Sequence, residues 1–104
     1  MSERHSLIAP LWLWSGPSGG NWFFLSINGK TAEALAATAL MNRLESGRRA
    51  GFGSVRVTVQ IGETCWQTSA FPSTEHGWMV PVKAAVRKAE GLAAGEPVEV
   101  ELTF

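Results

Sequence analysis

The sequence predicts a mainly β domain of the α+β class, a small barrel of about six strands with one longer and one short helix. Several short stretches alternate apolar and polar residues with the period of two that is typical of a strand with one wet face. Only two stretches carry helical spacing and helix-end signals. The connections leave little room for parallel crossovers, so the strands are expected to form an antiparallel or mixed sheet.

Length and composition predict one globular domain without covalent staples. A chain of 104 residues buries one modest core, and 45% of its residues are hydrophobic while 17% are charged. Five tryptophans and five phenylalanines supply unusually large apolar area for this length. Cys65 is the only cysteine, which excludes an intramolecular disulfide and a cysteine-based metal site. We expect its thiol to be a small buried hydrophobe.

The net charge of zero argues against the electrostatic footprint of a typical nucleic-acid binder. The charges are nevertheless uneven, since residues 48–88 hold six basic and two acidic side chains, whereas residues 90–104 hold four glutamates and no basic residue. Two interpretations stay open. The basic set forms a patch, or the two sets pair with each other or form solvated faces, which is the interpretation we favour.

The start of the chain predicts neither a signal peptide nor a membrane span. Residues 1–6 are polar and are expected to be disordered. The apolar stretch 7–14 is too short to cross a bilayer and is interrupted by Pro10. The expected location is therefore the cytoplasm.

The first half of the chain predicts two aromatic-rich strands and a helix. The strands cover 9–14 and 22–27, on either side of a glycine-rich connection that lacks the lysine of a phosphate loop. The helix is predicted over 32–46, with Thr31 as its N-cap. Its apolar residues fall at helical spacing and are expected to pack on the barrel: Leu35, Ala36, Ala39, Leu40 and Leu44.

The second half predicts a hairpin and a closing unit. Strands over 55–61 and 64–70 are joined by Gly62 and Glu63, and the first of them has the clearest alternation in the chain. The closing unit contains a short strand at 78–80, a helix that begins at Pro81 and ends at Gly91, and a final strand from Pro97. Proline suits the first helical turn, and glycine suits the left-handed position after a helix.

Three segments together resemble a known bacterial family, and the resemblance covers nearly the whole chain. They are Gly51-Phe-Gly-Ser-Val-Arg-Val57, Thr64-Cys-Trp-Gln-Thr-Ser-Ala-Phe-Pro72 and Val80-Pro-Val-Lys-Ala-Ala-Val-Arg-Lys-Ala-Glu-Gly-Leu92. The chain resembles the family of domains of unknown function numbered nineteen-oh-five, which implies a double-split β-barrel. Its closing unit is also similar to the hairpin of AbrB-like regulators and antitoxins, although Glu96-Pro97 alters the turn. The resemblance transfers no catalytic residue.

The sequence carries no recognisable catalytic constellation. The two histidines, His5 and His76, stand in no metal-ligand spacing, and the chain contains no aspartate to orient a catalytic histidine. Nucleophile-elbow, Walker and HExxH motifs are absent. We therefore expect neither an enzyme nor a bound metal or cofactor.

The candidate site combines basic and aromatic side chains. Lys83 and Arg87 are spaced to share one face of the short helix, and a closing barrel would bring Arg56 near them. The alternative is that Lys83 and Arg87 pair with Glu90, Glu99 or Glu101. The aromatics exceed what a minimal core needs, and although we expect most of them in the core, some could line an apolar pocket with arginines at its rim. The full candidate set is Lys83, Arg87, Arg56, Trp66 and Trp78.

Three functions remain open at this point. The first is a non-catalytic binding module, monomeric or weakly dimeric, for a small anionic or aromatic ligand or a protein partner. The second is an AbrB-like DNA-binding regulator or antitoxin, for which dimerisation would have to gather the basic segment on one face. The third is an enzyme of unrecognised glutamate chemistry.

Overall fold

A computed structural model describes residues 3–15, 21–46 and 53–104, which form a closed barrel of six antiparallel strands with two helices. The order along the chain is two strands, a long helix, three strands, a short helix and a final strand. The elements are β1 (Arg4–Ser15), β2 (Asn21–Ile27), α1 (Gly29–Ser46), β3 (Val55–Ile61), β4 (Thr64–Ser73), β5 (Gly77–Pro81), α2 (Ala84–Glu90) and β6 (Pro97–Thr103). The predicted fold class is confirmed.

Two strands close the barrel because each of them pairs with different neighbours along its length. The strand order around the barrel is β1-β2-β5-β4-β3-β6. Residues 4–10 of β1 pair with β6 and residues 11–15 pair with β2. Likewise, residues 64–70 of β4 pair with β3 and residues 71–73 pair with β5. The order of strands is therefore closed, and no strand lies at the end of an open sheet.

The barrel interior is filled by aliphatic side chains from every second position. The predicted alternation of β3 is confirmed, since Val55, Val57, Val59 and Ile61 are all buried while Arg56 and Gln60 are exposed. β6 behaves in the same way. In β4, however, Cys65 is exposed and Trp66 packs against the core, so the expectation of a buried thiol is wrong. Cys65 lies opposite Gln60 of β3, whose side chain faces outward, so the thiol faces outward as well.

The polar start of the chain is more ordered than its composition predicts. The expectation of disorder over residues 1–6 fails for Arg4, His5 and Ser6, which belong to β1 and pair with the end of β6; residues 1 and 2 lie outside the described part. His5 also stacks on Phe104, with ring centroids 4.7 Å apart. Backbone pairing with β6 and this ring contact hold the segment in place.

The long helix α1 begins earlier and packs less extensively than predicted. It starts at Gly29, which adopts φ +68°, so Thr31 lies inside the first turn and is buried there. Leu35 is fully buried, but Leu40 and Leu44 are 53% and 68% exposed, so the predicted packing of the whole apolar stripe is wrong. A helix of 18 residues is about 27 Å long, and α1 lies beside the end of the barrel at Gly53, Pro72 and Trp78.

The short helix α2 covers the opposite end of the barrel and begins later than predicted. Pro81 still belongs to β5, and the Val82 N–H donates to the Phe23 carbonyl over 2.8 Å, so strand-like pairing extends past the proline. The helix therefore starts at Ala84 rather than at Pro81. Its predicted end is confirmed, because Gly91 is left-handed with φ 62° and terminates the helix.

Candidate functional site

The outer face of the barrel, which usually carries polar side chains, is aromatic along β1, β2, β5 and the end of β4. In β1 the inward positions Ala9 and Leu11 are fully buried, whereas Trp12 and Trp14 point outward. Register then places Trp22 and Phe24 outward on β2, opposite Trp14 and Trp12. The outer set is Trp12, Trp14, Trp22, Phe24 and Phe71, whereas Phe23, Trp66 and Trp78 belong to or pack against the core.

This arrangement corrects the expectation that most aromatics lie in the core. Two of the outer indoles are strongly exposed, Trp14 at 44% and Trp22 at 56%. A barrel of six strands has a narrow interior, and the aliphatic residues of alternate positions already fill it. The surplus aromatics are therefore on the outside, and a contiguous apolar surface of this kind marks a place of interaction.

Two adjoining hollows form one groove across this face, which we call the aromatic groove. Their volumes are about 430 and 500 Å³, and they share Trp14, Phe24 and Met79. The smaller hollow is lined in addition by Trp12 and the segment 73–76. The larger one is lined in addition by Trp22, Arg56, Thr68, Ser69, Phe71 and Pro81. The groove thus draws on five strands and the connection after β4.

A stack of rings builds the first end of the groove. The His76 imidazole lies on the Trp12 indole with centroids 4.3 Å apart, and Phe24 packs against the same indole at 5.4 Å. Two hydrogen bonds to the Ser73 hydroxyl, from the N–H groups of Glu75 and His76, shape the turn that carries the imidazole. Trp12 Nε1 is buried there without a hydrogen-bond partner in the described residues. The first end is therefore an aromatic wall with the Glu75 carboxylate beside it.

Arg56 supplies the charge at the second end. It is exposed on the outer face of β3, opposite Ser69, and it is the one charged side chain among the described residues that line the larger hollow. Within the described part of the chain it takes part in no ion pair. A guanidinium beside aromatic walls can bind a carboxylate, sulfonate or phosphate in bidentate fashion. The groove therefore joins an apolar body to a cationic end.

Arg87 and Lys83 lie elsewhere and do not form the predicted basic cluster with Arg56. The Arg87 guanidinium carbon lies 3.7 Å from the centroid of the Phe23 ring, and Arg87 also donates to the Val82 carbonyl over 3.1 Å. These contacts occupy the guanidinium in holding α2 on the barrel. Lys83 is exposed at the N-cap of α2 and is not among the described groove residues.

Trp66 and Trp78 also lie away from the aromatic groove. Trp78 is 8% exposed and belongs to the core, and it contributes to a separate small hollow beside α1. Trp66 packs against the core from the inner face of β4, opposite Val59. Of the five candidate residues, only Arg56 lies on the groove. The sequence signal for the residues that were missed is the alternation of leucine and tryptophan in β1, in which Leu11 is fully buried, although Leu13 near the end of the strand is 45% exposed.

The expected ion pairs between basic and acidic residues are absent from the described part of the chain, whereas Lys83 is exposed to solvent, which the same expectation allowed. Among the described residues, neither Lys83 nor Arg87 forms an ion pair with Glu90, Glu99 or Glu101. Glu90 accepts a hydrogen bond from the Thr64 hydroxyl at 2.6 Å, and Glu101 accepts one from Ser6 at 3.4 Å. The glutamates of β6 instead line a separate cleft of about 510 Å³ between β1, β6 and β3.

The described residues contain no group of three or more histidine, cysteine or acidic side chains that could hold a metal ion. Neither described helix is long and apolar enough to cross a membrane. The groove itself presents rings, one thioether, hydroxyls and single charges. Such a lining can bind apolar and aromatic groups and can orient them through a charge.

Comparison with known proteins identifies a family without a described activity. The chain matches the family model described as Domain of unknown function (DUF1905) over residues 8–102. The match includes every strand of the barrel and both helices, except for the first residues of β1 and the last residue of β6. No curated protein and no solved structure matches the chain.

Proposed function

The chain belongs to the DUF1905 family, and from the geometry of its own surface we propose that the domain is a non-catalytic binding module whose site is the aromatic groove. One observation carries the proposal. Five aromatic side chains project from the outer face of a barrel whose interior is already filled, and they line two adjoining hollows. Folding alone gives no reason to place so much apolar area in water.

The lining selects an apolar ligand with a flat ring. Trp14 and Trp22 lie opposite each other on adjacent strands and present two large exposed indoles. A ligand that covers about 100 Å² of this apolar surface gains roughly 2.5 kcal/mol from desolvation. Offset stacking of rings adds about 0.5 to 1.5 kcal/mol. These terms support binding of a small aromatic group without a deep pocket.

Arg56 gives the groove a preference for an anionic group at one end. The guanidinium has no acidic partner among the described residues, so an incoming anion does not have to displace one. A hydrogen bond from the guanidinium to an anion is charge-assisted and therefore stronger than a bond between neutral groups. The ligand class is therefore an aromatic or apolar body with a carboxylate, sulfonate or phosphate near one end.

The proposal contains no chemical step, and it differs from the DNA-binding alternative in its source of affinity. In a DNA-binding reading, several basic side chains would have to contact phosphates together. Here Arg56 faces aromatic residues, while Arg87 is engaged with Phe23. The barrel also closes within one chain, so no second copy is needed to complete it. We therefore propose a module that can act as a monomer.

A pair of matched fluorescent probes tests the proposal. Anilinonaphthalene sulfonate (ANS) carries an aromatic body with an anion, and N-phenylnaphthylamine has the same ring system without the sulfonate. Both are expected to bind the folded protein saturably. Trp22→Ala should weaken both probes by about tenfold, since it removes one wall of the larger hollow. Arg56→Ala should weaken ANS and leave the uncharged probe unchanged.

Two control variants match these changes away from the groove. Arg4→Ala removes an exposed arginine from the outer face of β1, and Ile8→Ala removes an apolar residue that is 66% exposed on the same strand. Neither control should alter the affinity of either probe. If the Trp22 and Arg56 variants bind both probes as the native chain does, the groove is not the site.

A further inference from the structure

The groove also has features that indicate which class of partner occupies it, and this inference rests on the function proposed above. The groove lies on the outer face of a closed ring of strands, so a peptide bound there packs against side chains and does not add a strand. Any peptide bound at the groove has to be recognised through its side chains and carbonyls. A segment that keeps an extended shape without pairing its own backbone is suited to such a surface.

We propose that the aromatic groove binds a proline-rich segment of a partner protein in the polyproline II conformation, with an acidic residue at the Arg56 end. Polyproline II segments have no internal hydrogen bonds, so their carbonyls are free to accept. They are already extended before binding and lose little conformational entropy. Grooves lined by aromatic side chains on small β domains are a recurrent means of recognising them.

The shape of the groove fits such a segment. The two hollows adjoin at Trp14, Phe24 and Met79, so their shared wall separates two apolar recesses. Successive ridges of a polyproline II helix could fill one recess each. The two hollows follow one another along the strands, and on β4 the lining runs from Ser73 in the smaller hollow to Thr68 in the larger one, roughly 16 Å at the rise of a strand. At about 3.1 Å per residue, this length accommodates about five residues of polyproline II.

The hydrogen-bond donors and the charged side chains of the groove also suit a polyproline II segment. Trp14 and Trp22 are exposed, and neither indole N–H forms a hydrogen bond within the described residues, so both can donate to peptide carbonyls. Arg56 lines one hollow and Glu75 lines the other. A segment with an acidic residue near Arg56 and a basic residue near Glu75 would therefore complement both ends of the groove.

The test uses labelled peptides of about seven residues, so that they exceed the estimated five-residue span by a residue at each end. One pair has a proline-rich middle with glutamate at one terminus and lysine at the other, in both orders. The matched control has glycine and serine in place of the prolines, with the same terminal charges. Binding to the whole chain is followed by fluorescence anisotropy. We expect one order of the proline peptide to bind at least tenfold more tightly than its glycine and serine control.

Variants then locate the binding. Trp22→Ala should weaken the preferred peptide about tenfold, and Trp14→Ala, which changes the wall between the hollows, should do the same. Arg56→Gln should weaken the preferred peptide but not a version with glutamine in place of its glutamate. Arg4→Ala serves as the charge control. Circular dichroism of each variant confirms that the barrel is intact.

The outcomes separate this inference from the proposed function. Peptide binding that requires the prolines and Trp22 supports both. If the proline peptides bind no better than their glycine and serine controls, the peptide inference is wrong. If ANS binding still depends on Trp22 in that case, the proposed function stands. If neither the peptides nor the dyes depend on Trp22, both proposals are wrong.

Discussion

Trp14 on β1 lies directly opposite Trp22 on β2, and both indoles face solvent instead of the core. The pair buries little area in the core, and in the proposed function it supplies apolar surface for a ligand. We therefore expect Trp22→Ala to lower the free energy of unfolding by about 1 kcal/mol or less, the scale of one cross-strand aromatic pair. Leu25→Ala, which truncates a fully buried residue on the same strand, should cost about 2 to 5 kcal/mol. Urea unfolding of the two variants measures the contrast, and equal losses would show that Trp22 is part of the core.

Arg87 is expected to stabilise the fold and to play no part in ligand binding. Arg87→Ala removes the contact with Phe23 and the hydrogen bond to Val82, and should lower the free energy of unfolding by about 1 to 2 kcal/mol. Lys88→Ala, an exposed change on the same helix, should stay within about 0.5 kcal/mol of the native chain. ANS affinity should be unchanged in both. If the Arg87→Ala protein is stable but binds ANS more weakly, Arg87 takes part in ligand binding.

Gly91 ends α2 in a conformation that β-branched residues resist. Gly91→Val should lower the free energy of unfolding by about 1 kcal/mol or more, because φ is 62° at this position. The space around Gly91 is open, so the cost comes from the backbone and not from a clash. Gly91→Asn is the matched control, since asparagine tolerates left-handed backbone, and it should cost less than valine. Thermal unfolding that ranks the two variants equally would contradict this explanation.

Gly62, Thr64 and Glu90 should behave as a coupled unit. A Cβ at Gly62 would overlap the Glu90 carboxylate, which accepts the hydrogen bond from Thr64. Gly62→Ala should therefore break that bond in addition to straining the left-handed backbone. Thr64→Val alone should cost about 1 kcal/mol. The double variant should cost about 1 kcal/mol less than the sum of the single changes, because the same bond cannot be lost twice. Strict additivity in urea unfolding would show that the alanine leaves Glu90 in place.

The fold was largely predictable because most elements carry one dominant signal. β3 and β6 alternate valine with polar residues, so their buried face is unambiguous. Gly91 marks the end of α2 because few other residues tolerate its backbone. The predicted start of α2 was wrong because Pro81 suits both the end of a strand and the first turn of a helix. Only the hydrogen bond from Val82 to Phe23 decides between the two positions.

The candidate site was less predictable because both faces of β1 and β2 are apolar. Period-two reasoning identifies two faces in Leu11-Trp-Leu-Trp14 but does not say which one is inside when both are hydrophobic. Closure of the barrel decides it at Leu11, which is fully buried in the narrow interior, whereas Leu13 near the end of the strand is exposed. Arg56 was proposed because a closing barrel would bring it near Lys83 and Arg87, but the structure places it on the groove without them. A cation at the end of a helix can face either an anion or a ring, and the sequence does not show that Arg87 faces Phe23.

The most direct test of the central claim is an NMR titration of the indole N–H signals with ANS, since the five tryptophans give five separate reporters. We expect the signals of Trp14, Trp22 and Trp12 to shift with one saturation curve, because these residues line the aromatic groove. The signals of Trp66 and Trp78, on the inner side of the barrel wall, should remain in place. Shifts confined to Trp66 and Trp78 would contradict the account and place the ligand inside the barrel or beside α1.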